Sequence, residues 1–105
     1  MKLLETEEQL ESLISNGKTI LVFSAEWCGD CRFIEPFLPD VEEKFNEFTF
    51  VHIDRDKFID VCVKHDIFGI PSFLAFNDGK EIGRFVSKER KTQEEIEKFI
   101  GDLSA

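Results

Sequence analysis

The stretch Thr19-Ile20-Leu21-Val22-Phe23-Ser24-Ala25-Glu26-Trp27-Cys28-Gly29-Asp30-Cys31 decides how the rest of the chain is read. Its first seven residues are almost continuously apolar and rich in β-formers, as expected of a buried central strand. The segment after it, Phe33 through Phe48, has helical periodicity, with Phe33, Ile34, Phe37, Leu38, Val41 and Phe45 on one stripe. Cys28 and Cys31 therefore fall at a strand-to-helix junction, on neighbouring positions of one turn. A pair so placed closes to a disulfide or opens to a dithiol with little backbone movement, which is the pattern of a redox pair. A zinc site needs four ligands, and only Cys62, His52 and His65 remain, without a second close pair. No metal is expected.

Upstream, Thr6-Glu7-Glu8-Gln9 fits a capping box, Leu10, Leu13 and Ile14 follow at helical spacing, and Asn16-Gly17 stops that helix. Downstream, Pro36 falls inside the apolar stripe and should kink the helix, since it removes a backbone donor. Thr49 to Asp54 reads as a second strand, parallel to the first if the helix between them is a crossover. A short helix carries Phe58, Val61, Cys62 and His65. Gly69 to Phe76 is a strand that opens with Pro71, Asn77-Asp78-Gly79-Lys80 is a turn, and Glu81 to Phe85 returns as the second arm of a hairpin. Thr92-Gln93-Glu94-Glu95 is a second capping box, ahead of Ile96, Phe99, Ile100 and Leu103. The order α-β-α-β-α-β-β-α predicts an α/β fold with a mixed four- to five-stranded sheet flanked by helices on both faces, the fifth strand being a short one near Lys2–Leu4.

The whole chain, 1–105, reads as a single domain, because its length supports one core and not two. Twelve Phe and no Tyr fill that core without phenol hydroxyls that need partners. A net charge of −9 argues against nucleic acid, which demands a basic surface. No apolar run is long enough to cross a bilayer. The N-terminus, Met1 to Glu8, turns acidic too soon for a signal peptide, so the expected location is cytoplasmic. There a disulfide is more often transient and catalytic than structural.

Four features together resemble the thioredoxin family: Ala25-Glu26-Trp27-Cys28-Gly29-x-Cys31, the helix proline Pro36, Gly69-Ile70-Pro71-Ser72, and the hairpin Phe76-Asn77-Asp78-Gly79. They occur in the family's order and span nearly the whole chain. The resemblance implies a thioredoxin fold and a disulfide reductase working through the Cys28/Cys31 dithiol. It needs no organic cofactor, because the redox-active disulfide holds the electrons. It also implies disulfide-bearing client proteins and a separate reductase as electron donor, thioredoxin reductase being the candidate; a monomer is expected. Three departures stand out. Gly29-Asp30 replaces the family's Gly-Pro, Val22 and Phe50 stand where a buried acid and its lysine neighbour are usual, and Val86 to Lys91 lacks the family's glycine.

Cys28 is expected to be the nucleophile and Cys31 the resolving thiol. Gly29 lets a client backbone approach the sulfur. Trp27 offers clients a flat apolar surface, unless it is simply core. The resemblance implies a cis Pro71 against the dithiol, with the Ile70 backbone free to pair with an extended client. Asp30 is expected either to disfavour a neighbouring thiolate by its charge, or to move the Cys31 proton in place of the missing acid. Cys62 reads as a small apolar residue on a helix face, His52 and His65 receive no role, and Lys88 to Lys91 reads as a solvated loop. Two other readings compete with protein-disulfide reduction. One is a glutaredoxin-like reductase for low-molecular-weight mixed disulfides, and the other is a binding module with incidental redox activity.

Overall fold

Five strands form one mixed sheet in the computed structural model, which describes residues 1–103. They are β1 (Lys2–Leu3), β2 (Lys18–Ser24), β3 (Phe48–Asp54), β4 (Ser72–Asn77) and β5 (Lys80–Phe85), in the spatial order β1-β3-β2-β4-β5. β3 runs parallel to both β1 and β2, while β4 pairs antiparallel with β2 and with β5. The continuous apolar run thus becomes the central strand. Ile20, Leu21, Val22 and Phe23 are each fully buried, and each such side chain stabilises the fold by about 1.5–3 kcal/mol.

Side chains alternate between the two faces of the sheet, and each face has its own core. One face packs α1 (Glu8–Ser15) and α4 (Ile59–Lys64), with Leu10, Val61 and Cys62 against Leu21, Phe23, Val51 and Leu74. The other packs α2 (Gly29–Ile34), α3 (Leu38–Lys44) and α5 (Gln93–Leu103), with Ile34, Val41, Ile96 and Ile100 against Ile20, Val22, Phe50 and Phe73. The two-faced layering and the short fifth strand match expectation.

The helix read over Phe33 to Phe48 differs. It begins earlier, at Gly29, gives way to a 3-10 turn over Glu35–Phe37, and resumes as α3. Pro36 lies in the 3-10 turn and Pro39 in the first turn of α3, where a proline loses no hydrogen bond it could have made. Phe33, within α2, is 42% exposed although its spacing marked it for the core. Phe48 belongs to β3 instead. β4 starts at Ser72, after Pro71 and not before it, because proline has no donor for the ladder.

The two capping boxes form to different degrees. At α5 the exchange is reciprocal: Thr92 N–H donates to Glu95 Oε1 at 2.9 Å and Glu95 N–H to Thr92 Oγ1 at 3.2 Å. At α1 only the return half is made, Gln9 Oε1 accepting from the N–H groups of Glu5 and Thr6. The hairpin turn puts Asp78 and Gly79 at φ 50° and 88°, as a two-residue primed turn requires. Asp78 also ties the turn to the end of α1, its Oδ1 accepting from Gly17 N–H at 2.8 Å.

Candidate active site

β2 ends at Ser24 and α2 begins at Gly29, so Cys28 occupies the N-cap of α2 in an extended conformation. Its Sγ takes the acceptor place of a cap side chain, receiving the N–H of Cys31 at 3.1 Å. An N–H aimed at sulfur steadies negative charge as it develops there. Cys31, one turn in, is 1% exposed against 7% for Cys28. Burial first, and then the hydrogen bond with Cys28, push the Cys31 thiol up to about 12, so at neutral pH it stays protonated. All three thiols are free.

Cys28 faces an open groove of about 410 Å³ lined by Trp27, Gly29, Asp30, Arg55, Phe68, Ile70 and Lys88, among others. Trp27 is 65% exposed and is therefore no core residue. Its ring is held instead by a 2.7 Å hydrogen bond from Nε1 to Asp56, with the Arg55 guanidinium 5.9 Å from the ring centroid. Phe68, 64% exposed, adds a second aromatic surface that the sequence reading did not single out. Its only signal was its place just before Gly69-Ile70-Pro71. The Ile70–Pro71 bond is cis, and the Ile70 carbonyl lies 3.9 Å from Cys28 Sγ.

Asp30 is paired with a cation from the segment after β5. Its carboxylate accepts from Arg90 Nε at 2.9 Å, and the same guanidinium stacks 4.4 Å from the ring centroid of Phe33. Among the influences that raise the Cys31 pKa, the Asp30 charge is the smallest. Arg90 belongs to the segment expected to be a solvated loop; Lys88, Glu89 and Arg90 are exposed as expected, and Lys91 alone departs from it. Lys91 is 1% exposed, and its Nζ donates to the Ser87 carbonyl, Ser87 Oγ and the Glu89 carbonyl at 3.2, 3.0 and 2.8 Å, over the Phe85 ring. All three ammonium donors are used. Desolvation lowers the Lys91 pKa, while the charges of Cys31, Glu95, Asp30 and Cys28 act the other way. No local pattern marks this lysine, since the sequence around it is uniformly polar. The segment also packs on Gly69, where an added Cβ would lie 2.7 Å from Lys88 Cα and closer still to the Ser87 carbonyl.

Behind Cys31 the wall is apolar where the family has an acid and a lysine. Val22 is 0% and Phe50 5% exposed, both within the core under α2 and α3. Beside them a cleft of about 470 Å³ is lined by Cys31, Val22, Ser24, Glu35, Glu42 and His52, among others. Ser24 Oγ and His52 Nε2 are hydrogen-bonded within it. Cys62 is buried on the opposite face of the sheet, in the core beneath α4. Among the described residues no group of three or more His, Cys, Asp or Glu could hold a metal ion, and no helix is long and apolar enough to cross a membrane.

The family model described as Thioredoxin matches residues 2–102. Thioredoxin H2 of Arabidopsis thaliana is 37% identical over 91 residues, covering 87% of this chain and 66% of its own. The mitochondrial thioredoxin-2 of Schizosaccharomyces pombe is 34% identical over 74 residues, covering 70% of this chain and 56% of its own. The chain thus spans less than two thirds of the length of both these relatives. Among solved structures, oxidised mitochondrial thioredoxin 3 of Saccharomyces cerevisiae superposes with a TM-score of 0.85 at 27% identity, over 97% of this chain and 94% of its own.

Proposed function

We propose that this chain, which belongs to the thioredoxin family, is a thiol–disulfide oxidoreductase that reduces disulfides of client proteins. The observation that carries the reading is the asymmetry of the two sulfurs. Cys28 caps a helix at the floor of an open groove, while Cys31 is buried with its thiol held protonated. Cys28 attacks the client disulfide, one client sulfur leaves with the bonding electron pair, and a mixed disulfide forms. Cys31 then attacks Cys28, closing the Cys28–Cys31 bond and releasing the second client sulfur as a thiolate.

Trp27, Phe68 and Ile70 form the client platform in this reading. Pro71 offers no N–H beside the sulfurs, and Gly29, with nothing within 4 Å of an added Cβ, leaves the approach clear. Asp30 acts through Arg90 as a tether for the neighbouring loop. A separate reductase, of the thioredoxin reductase kind, returns two electrons to the pair. The chain works as a monomer in the cytoplasm, a reducing compartment suited to three free thiols. The names of the relatives favour this reading over glutathione-type exchange and over a binding module.

The test is the reduction potential of the pair in defined dithiol buffers, together with reductase assays of the single mutants. A value near −270 mV, about that of thioredoxin, and loss of activity in Cys28→Ser are expected. A potential near −200 mV, or an active Cys28→Ser, would overturn the proposal.

A further inference from the structure

The cleft behind Cys31 raises a question of proton balance. Cys31 must lose a proton before it can attack the mixed disulfide, and it is buried with its thiol held protonated. Val22, which lines the same cleft, has no titratable group. The sheet register places His52 on β3 opposite Val22 on β2, and both side chains lie on the face covered by α2 and α3. Ser24, two residues beyond Val22, is on the same face, and its Oγ meets His52 Nε2. Cys31, Ser24 and His52 therefore line one cleft, which at about 470 Å³ has room for water.

We propose that His52, acting through Ser24, accepts the Cys31 proton during resolution of the mixed disulfide. The inference rests on the oxidoreductase reading and deepens it. In the step, the Cys31 S–H proton passes through water in the cleft to Ser24 Oγ, and the Ser24 hydroxyl proton passes to His52 Nε2. Cys31 thiolate bonds to Cys28 Sγ, the Cys28–client bond breaks, and its electron pair leaves on the client sulfur. The cysteine pair is oxidised, the client sulfur is reduced, and His52 returns its proton to solvent.

The surroundings suit a proton acceptor. Burial lowers the His52 pKa, outweighing the nearby negative charges of Asp54 and Glu35, so the ring is neutral near pH 7. The charged groups facing the ring come from every neighbouring element. They are Asp54 on its own strand, Glu35 on the 3-10 turn, Glu42 on α3 with the Met1 amino group paired to it at 3.3 Å, and Glu26 and Lys57 in the adjoining cleft. Glu35 is the rival acceptor, and the experiment separates the two.

Reduced protein is mixed with excess dithiobis(nitrobenzoate) in a stopped-flow spectrometer. Attack by Cys28 appears as a second-order release of thionitrobenzoate, and closure by Cys31 as a first-order release independent of reagent concentration. His52→Gln and Ser24→Ala are expected to slow the first-order phase by about 100-fold, the lower end of the range for a positioned base. Both should leave the second-order phase unchanged, and His52→Gln should remove an inflection below pH 6.5 from the first-order profile. Glu35→Gln should keep that inflection. If the first-order rate and its pH profile match the wild type in both His52→Gln and Ser24→Ala, or if only Glu35→Gln removes the inflection, the relay is overturned. A wild type that binds the reagent at Cys28 but never closes overturns the relay together with the oxidoreductase reading; a wild type that closes while only the variants differ keeps them apart.

Discussion

Around Cys28 the protein is open, aromatic and charged; around Cys31, three residues on, it is closed and mostly apolar. The outer side is assembled from loops. Trp27 is steadied by Asp56, Asp30 by Arg90, and Ile70 comes from the turn before β4. The inner side is the sheet itself, with Val22 and Phe50 buried and Ser24 hydrogen-bonded to His52 on the neighbouring strand. One helical turn separates a sulfur that lines the open groove from one that is 1% exposed. The difference teaches that burial can separate two sulfurs three residues apart, and under the proposed function it is what would set the order of attack, with Cys31 holding its proton.

The strongest way to break the comparison is to remove each sulfur in turn. Cys28→Ser should abolish client reduction, whereas Cys31→Ser should still attack and then stall. Mass spectrometry should find the stalled species as a covalent client adduct in Cys31→Ser alone. Adducts of equal yield in both variants would mean that the two positions are not distinct.

Next in size is Gly69→Ala. Its Cβ meets the backbone of Ser87 and Lys88, not a side chain that could swing aside. A loss of about 1–3 kcal/mol in unfolding free energy is expected, the usual cost of overpacking, with slower client attack because the groove wall shifts. Lys91→Met keeps the packing but leaves the Ser87 and Glu89 carbonyls without their donor. Denaturant unfolding should show a loss of about 1–3 kcal/mol, and hydrogen exchange should rise across residues 86–91.

The inner side can be probed by pH. Burial lowers the folded-state pKa of both His52 and His65 below the ordinary 6.5. In that window the unfolded chain binds more protons than the folded one, so stability rises with pH. The contribution is present above pH 6.5 and is lost as the pH falls through the folded values. Urea unfolding at several pH values should show this slope, and His52→Gln should flatten it. The smallest effect belongs to Asp30→Asn. The Asp30–Arg90 pair is substantially exposed, so breaking it should cost no more than about 1 kcal/mol. The potential of the pair should move little, because the Asp30 charge contributes least at Cys31. A large change in potential would restore Asp30 as the residue that tunes the sulfurs.

Much of this was legible in order along the chain. The apolar run at β2, the periodic stripe after it, the Asn77 to Lys80 turn and the Thr92–Glu95 box all rest on contacts within a few residues. Local chemistry therefore decided them. Cys28 and Cys31 were legible for the same reason, since their separation of three is itself the geometry of one helical turn. What escaped was whatever depends on residues far apart. Asp30 meets Arg90 across 60 positions, Ser24 meets His52 across 28, and Trp27 meets Asp56 across 29. Lys91 looked solvated because its neighbours in sequence are charged, yet Phe85 and the folded-back Ser87 enclose it. A side chain's period along the chain tells which face it takes, while its burial and its charge partner depend on what the fold brings against that face. The dithiol and its scaffold belong to the sequence, and the charges and proton acceptor around the two sulfurs belong to the packing of loop on helix and strand on strand.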